Sequence, residues 1–123
     1  MNSGIVMIIL MLLPSGDLSS SFVNIETAEE CEQRLGRIRP ILENGDFEMK
    51  EAGCFRSPVQ FDYFDHDPPK DAPRYDFLVS LDGDRATVRR LESAAECRAE
   101  LERQSAPRSY CTTSTQDVTN LAE

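Results

Sequence analysis

Four cysteines and a single histidine carry most of the reactive chemistry in this chain, and their spacing sorts them into two groups. Cys31 and Cys97 hold the same place in two related segments, ETAEECEQRL from Glu26 to Leu35 and ESAAECRAEL from Glu92 to Leu101. Each is followed by a second cysteine, Cys54 or Cys111. Four cysteines in a short chain read as two disulfides when the compartment is oxidising, and as buried apolar thiols when it is not. The Cys-x-x-Cys spacing of a zinc ribbon or a thioredoxin site is absent.

Cys31 and Cys97 stand close to helix N-termini, where a thiol pKa can fall. Adjacent carboxylates oppose that shift, and the sole histidine, His66, lies in a segment of different character, so a Cys and His nucleophile has little support. That segment, FDYFDHDPPKDAPR from Phe61 to Arg74, gathers Asp65, His66 and Asp67, the candidate metal ligands: imidazole with carboxylate for zinc, carboxylates for calcium. No calcium-loop register is present, and a solvated acidic linker is the plainer reading. Phe61, Tyr63, Phe64 and Tyr75 beside the prolines form a candidate interaction lip, with packing against a sheet as the rival. Nucleotide-binding glycine loops, the nucleophile elbow and the paired-histidine zinc helix are missing, so neither a catalytic set nor a cofactor is expected.

The elements that must position the cysteines follow from local signals. Thr27 with Glu30 and Ser93 with Glu96 have capping-box spacing, so each copy opens a helix. The first runs from Ala28 toward Leu42 with Cys31, Leu35, Ile38 and Leu42 on one stripe, and Pro40 predicts a kink or stop near Ile38. The second covers Ala94 to about Gln104. YDFLVSL, the turn Asp82-Gly83-Asp84 and RATVRRL predict a hairpin before the second helix. Before the first helix, IVMIILMLL from Ile5 to Leu13, the turn Pro14 to Asp17 and LSSSFVNI fill the same places.

The apolar run 5–13 has the length of a signal h-region but lacks a basic flank, and the duplication favours an internal strand over cleavage near Ser21. From Cys31 to Glu43 a helix advances about 18 Å, and a strand from Phe47 to Cys54 returns about 23 Å. From Cys97 to Gln104 and from Arg108 back to Cys111 the spans are each about 10 Å. Cys31 with Cys54 and Cys97 with Cys111 is therefore the preferred connectivity.

The 123 residues imply one domain, since a chain of this size buries roughly two thirds of its unfolded surface. A net charge of −9 with 13 basic residues excludes nucleic acid as a natural partner. The expected architecture is α+β: two related β-hairpin–helix–strand units, 5–56 and 75–112, sharing one mainly antiparallel sheet with both helices on one face. An acidic Pro-rich linker spans 57–74, and the polar tail 113–123 is frayed or ordered only by a partner. Because IVMIILMLL is apolar on both sides, its second face predicts self-association, docking on an envelope or surface assembly, or membrane contact through 5–13. The expected function is a non-enzymatic interaction or structural module. Two alternatives are a secreted or periplasmic ligand-binding or inhibitor domain and a metal-binding protein using the Asp-rich loop. Disulfides place it in the periplasm or outside the cell; reduced cysteines would place it in the cytoplasm.

Overall fold

The computed structural model describes residues 4–62, 69–104 and 108–121. In the first unit, β1 (Gly4–Leu12) pairs antiparallel with β2 (Leu18–Ile25) on one side and with β3 (Glu48–Ser57) on the other, and α1 (Ala28–Glu43) connects the two flanking strands. A short strand β4 (Val59–Phe61) follows. The second unit repeats the order: β5 (Tyr75–Asp82) lies between β6 (Arg85–Leu91) and β7 (Ser109–Ser114), with α2 (Ala94–Gln104) joining them. β8 (Val118–Leu121) pairs with β4.

The expectation of one open sheet with both helices on one face is overturned. The strands close into a barrel in the order β1, β2, β7, β5, β6, β3. Two antiparallel three-stranded sheets are joined by two short parallel seams, Leu18 and Ser19 of β2 against Thr112 and Thr113 of β7, and Arg56 of β3 against Arg85 of β6. β1 and β5 stand three places apart in a ring of six, so α1 and α2, each packed over its own central strand, lie on opposite sides of the barrel.

Burial explains the closure. Val6, Ile8 and Leu10 of β1 and Phe77, Val79 and Leu81 of β5 share one interior core with Phe22, Phe55, Phe61 and Val88. Each unit has an apolar inner face that cannot stay wet, and closing the sheet buries the two against each other. The rings of Phe22 and Phe61 stack at 4.0 Å, and Phe77 meets both edge to face. Gly53 completes the packing by having no side chain: a Cβ there would lie 2.8 Å from ring atoms of Phe55.

The other side of β1 is also covered by the same chain. Met7 and Ile9 pack under Cys31 and Leu35 of α1. The outer face of β1 is thus covered in part by its own helix, while its inner face lines the barrel core. Excision at Ser21 would remove β1 and split β2.

Local signals hold at most element ends. Thr27 Oγ1 accepts from Glu30 N at 3.1 Å and Ser93 Oγ from Glu96 N at 3.1 Å, which caps the two helices. Gly16 and Gly83 take φ of 95° and 62° in the hairpin turns, conformations open to glycine at no steric cost. Two expectations are corrected. α1 does not stop near Ile38 but continues through Pro40 to Glu43. The hydrogen bond that Pro40 cannot donate would go to Gly36, and both residues are exposed, so the freed carbonyl is not stranded in a buried site. The tail 113–123 is not frayed throughout: β8 pairs with β4, part of the expected linker, and Gln116 is 1% exposed.

Candidate binding groove

The cysteines fasten each helix to the strand that follows it. Cys31 is bonded to Cys54 and Cys97 to Cys111, with Cα separations of 6.0 and 5.9 Å. Met7 lies opposite Cys54 in the ladder and Leu78 opposite Cys111, so the two disulfides supply a common origin for comparing the units.

From that origin the outer faces differ. Two and four residues beyond Met7, β1 presents Ile9 and Met11; two and four beyond Leu78, β5 presents Ser80 and Asp82. On the helices, three and seven residues past the cysteine, α1 has Arg34 and Ile38 where α2 has Glu100 and Gln104. The second unit, whose helix has 11 residues against 16 in α1, folds with polar residues at these places, whereas in the first Met11, Ile38 and Leu42 pack against the Met7, Ile9 and Leu35 cluster.

That surface forms the floor and wall of a groove of about 920 Å³. Met7, Ile9 and Met11 of β1 and Ser19, Ser21 and Val23 of β2 make the floor, and Arg34, Ile38 and Leu42 of α1 make one wall. Ile41 and Phe47 lie at the rim, 71% and 44% exposed, and are the exposed large hydrophobic residues among those described. Arg74 and Asp62 stand on the opposite side. Arg74 donates to Ser19 Oγ at 3.2 Å and to Thr113 Oγ1 at 3.0 Å, which fixes its guanidinium against the β2–β7 seam. The Asp62 carboxylate accepts from Asp117 N at 3.0 Å.

Next to the groove the seam is completed by a side chain. β2 and β7 pair only at two positions, after which Gln116 takes over. Its Oε1 accepts from Phe22 N at 2.9 Å, and its Nε2 donates to Phe22 O at 2.6 Å and to Asp62 O at 2.9 Å. A primary amide presents the same donor and acceptor as a peptide group, so Gln116 extends the ladder where β7 has turned away.

Glu51 of β3 reaches across to β7, accepting from Tyr110 Oη at 2.6 Å and from Arg108 at 3.1 Å. Burial raises the Glu51 pKa, but the hydrogen bonds from Arg108 and Tyr110 and the Arg108 charge outweigh it and hold the carboxyl below its ordinary value. The same hydrogen bond to Glu51, helped by burial, raises the Tyr110 pKa. This tie links strands that are not neighbours in the ring, and all its members have partners. On the α2 side Glu100 is also engaged, pairing with Arg103 and Arg89, and its pKa is lowered chiefly by the hydrogen bond from Arg103.

Of the candidate aromatic lip, Phe61 and Tyr75 lie among the described residues. Phe61 is buried in the barrel core against Phe22. Tyr75 is half-buried at the edge of that core, with the Arg90 guanidinium 4.3 Å above its ring. Tyr63 and Phe64 lie outside the described residues, as do the candidate metal ligands Asp65, His66 and Asp67. Among the described residues no three His, Cys, Asp or Glu side chains are grouped to hold a metal, and no helix is long and apolar enough to cross a membrane. Comparison with family models, with curated proteins and with solved structures finds no match.

Sequence reasoning placed Ile38 on the apolar stripe of the first helix and Met11 in the apolar run 5–13, but assigned neither to a groove, and it did not single out Arg34 or Gln116. The first three carry a signal in the internal comparison, because Met11 and Ile38 are apolar where the second unit has Asp82 and Gln104, and Arg34 reverses the charge of Glu100. Gln116 carries none, since its role depends on where β7 departs from β2.

Proposed function

We propose that this chain is a non-catalytic binding domain, disulfide-stapled and working outside the reducing cytoplasm, that holds an apolar ligand in the groove between α1 and the outer face of β1 and β2. The observation that carries the reading is the asymmetry between the units. Met11, Ile38 and Ile41 keep apolar surface beside a concavity at a place where the second unit has Asp82 and Gln104. Ile41 is 71% and Phe47 44% exposed beside it, and leaving such side chains in water costs free energy in proportion to their area. A concavity of about 920 Å³ falls in the range of roughly 300 to 1,000 Å³ used for small molecules. Two disulfides fit an oxidising compartment.

The test writes the second unit's pattern into the first. An uncharged solvatochromic dye is titrated into the full chain with its disulfides intact and its fluorescence followed. Met11→Asp combined with Ile38→Gln is expected to weaken dye binding at least tenfold, because two methylene-rich contacts are lost at about 1.5 to 3 kcal/mol each when fully buried. Near-UV circular dichroism checks that the barrel persists. Dye binding that is undiminished in a folded double variant rejects the groove as the site.

A further inference from the structure

We infer that the ligand of this groove is a single-chain aliphatic carboxylate, its head held by Arg34 and its tail lying over Met7, Ile9 and Met11 beneath Ile38 and Leu42. The inference rests on the binding reading above and names the chemistry of what is bound. Charge comes first. The chain as a whole carries −9, yet the groove is lined by the cations Arg34 and Arg74, and its acid, Asp62, is turned to Asp117 N. An anion is therefore repelled by most of this surface and attracted here.

Arg34 is the particular anchor. It is half-buried, and among the described residues no hydrogen bond or ion pair engages its guanidinium. The other half-buried arginine of α1, Arg39, donates to Ala52 O at 3.1 Å, and the counterpart of Arg34 in α2, Glu100, is paired with Arg89 and Arg103. A guanidinium at the edge of an apolar groove with its fork unused matches a carboxylate in a bidentate geometry. Arg74 is already fixed by Ser19 and Thr113 and adds charge at the opposite wall.

Dimensions select the tail. Along α1 from Arg34 to Leu42 the groove wall runs about 12 Å, and along β1 from Met7 to Leu13 the floor runs about 20 Å. With C–C bonds of about 1.5 Å in a zigzag, those lengths hold roughly ten to sixteen carbons. A protein partner would need about 800 Å² on each side for a stable complex, more than a concavity of this length presents, which favours a small amphiphile over a docking helix.

Calorimetric titration of the full chain, disulfides intact, with dodecanoate below its micelle concentration tests the inference. Three comparisons accompany it: dodecyltrimethylammonium, which keeps the tail and reverses the head; butyrate, which keeps the head and loses the tail; and an acidic amphipathic peptide. Dodecanoate is expected to bind about tenfold or more tighter than the ammonium compound, and Arg34→Gln to remove about tenfold of that, the worth of a charge-assisted hydrogen bond. Arg34→Lys, which keeps the charge, should restore part of the loss. Equal binding of the two dodecyl compounds, an unchanged ratio in Arg34→Gln, or binding of butyrate as tight as that of dodecanoate overturns the inference. So does binding of the acidic peptide without dodecanoate. If the dye binds and dodecanoate does not, this inference fails while the groove stands; if neither binds, both fail.

Discussion

Replacing Gln116 with Leu is the sharpest test of how the barrel is held shut. The leucine is close to glutamine in size and removes every side-chain hydrogen bond at a site that is 1% exposed. Three backbone groups lose a partner: Phe22 N, Phe22 O and Asp62 O. Asp62 is exposed, so its carbonyl turns to water and drops out of the sum. Phe22 is 1% exposed, and each of its two stranded groups costs about 1 to 3 kcal/mol, giving about 2 to 6 kcal/mol in all.

Relaxation of the β2–β7 seam recovers part of that, so about 3 kcal/mol is the expected loss, against a total of about 5 to 15 kcal/mol for a typical domain. Equilibrium urea unfolding with the disulfides intact measures it through the midpoint at constant slope. Amide exchange of Phe22 should accelerate in step. Gln116→Glu separates polarity from pairing: the carboxylate still accepts from Phe22 N but faces Phe22 O and Asp62 O without a proton to donate. That variant should gain stability as the pH falls and the carboxyl protonates. A loss below about 1 kcal/mol in Gln116→Leu, with Phe22 exchange unchanged, would refute the idea that a side chain completes the strand ladder.

The disulfides and the Glu51 tie give two further predictions. Replacing Cys97 and Cys111 together by Ser, a pair separated by 14 residues, should cost about 3 kcal/mol, and the same change at Cys31 and Cys54, separated by 23, about 3.5 kcal/mol on the chain-entropy account. Intact mass after alkylation without reductant should show no added label, and quantitative labelling of four thiols would dismiss both bonds. The lowered Glu51 pKa means that the folded state binds this proton more weakly than the unfolded one. Its contribution is present above the ordinary carboxylate value of 4.5 and is lost as the pH falls through the folded value. The raised Tyr110 pKa acts at the other end, contributing below 10.0 and fading as the pH rises through the folded value. Glu51→Gln should therefore flatten the acid limb of the stability profile by about 1 kcal/mol, kept small because the Arg108 side chain is 45% exposed and screened. Identical acid limbs in the two proteins would exclude the tie as a source of pH dependence.

Short-range chemistry was legible before any fold was known. The hydroxyl and glutamate spacing at Thr27 and Ser93 starts both helices because the orphan amides of a first turn are satisfied locally. Gly16 and Gly83 mark turns because few other residues take a positive φ cheaply. The pairing of Cys31 with Cys54 and Cys97 with Cys111 follows from the advance of a helix and the return of a strand, which are properties of the backbone alone. These features depend on neighbours a few residues away, or on lengths, and sequence carries both.

What the tertiary structure alone decided is how the faces are used. The apolar residues of β1 identify two buried sides but not what buries them. An open sheet with an outside partner and a closed barrel with its own helix satisfy the same pattern, and closure wins because β5 brings a second apolar inner face to meet the first. Pro40 and Gln116 make the same point at the scale of one residue. The proline is harmless because Gly36 is exposed and its freed carbonyl is not stranded in a buried site, and the glutamine is structural because β7 leaves β2 unpaired beside it. The groove exists because α1 and β2, joined by two residues in the chain, diverge in space over a floor that the second unit's polar residues would have made unremarkable. Each of these outcomes turns on which surface ends up beside which, and contacts between distant segments are what a linear pattern of residue types leaves open.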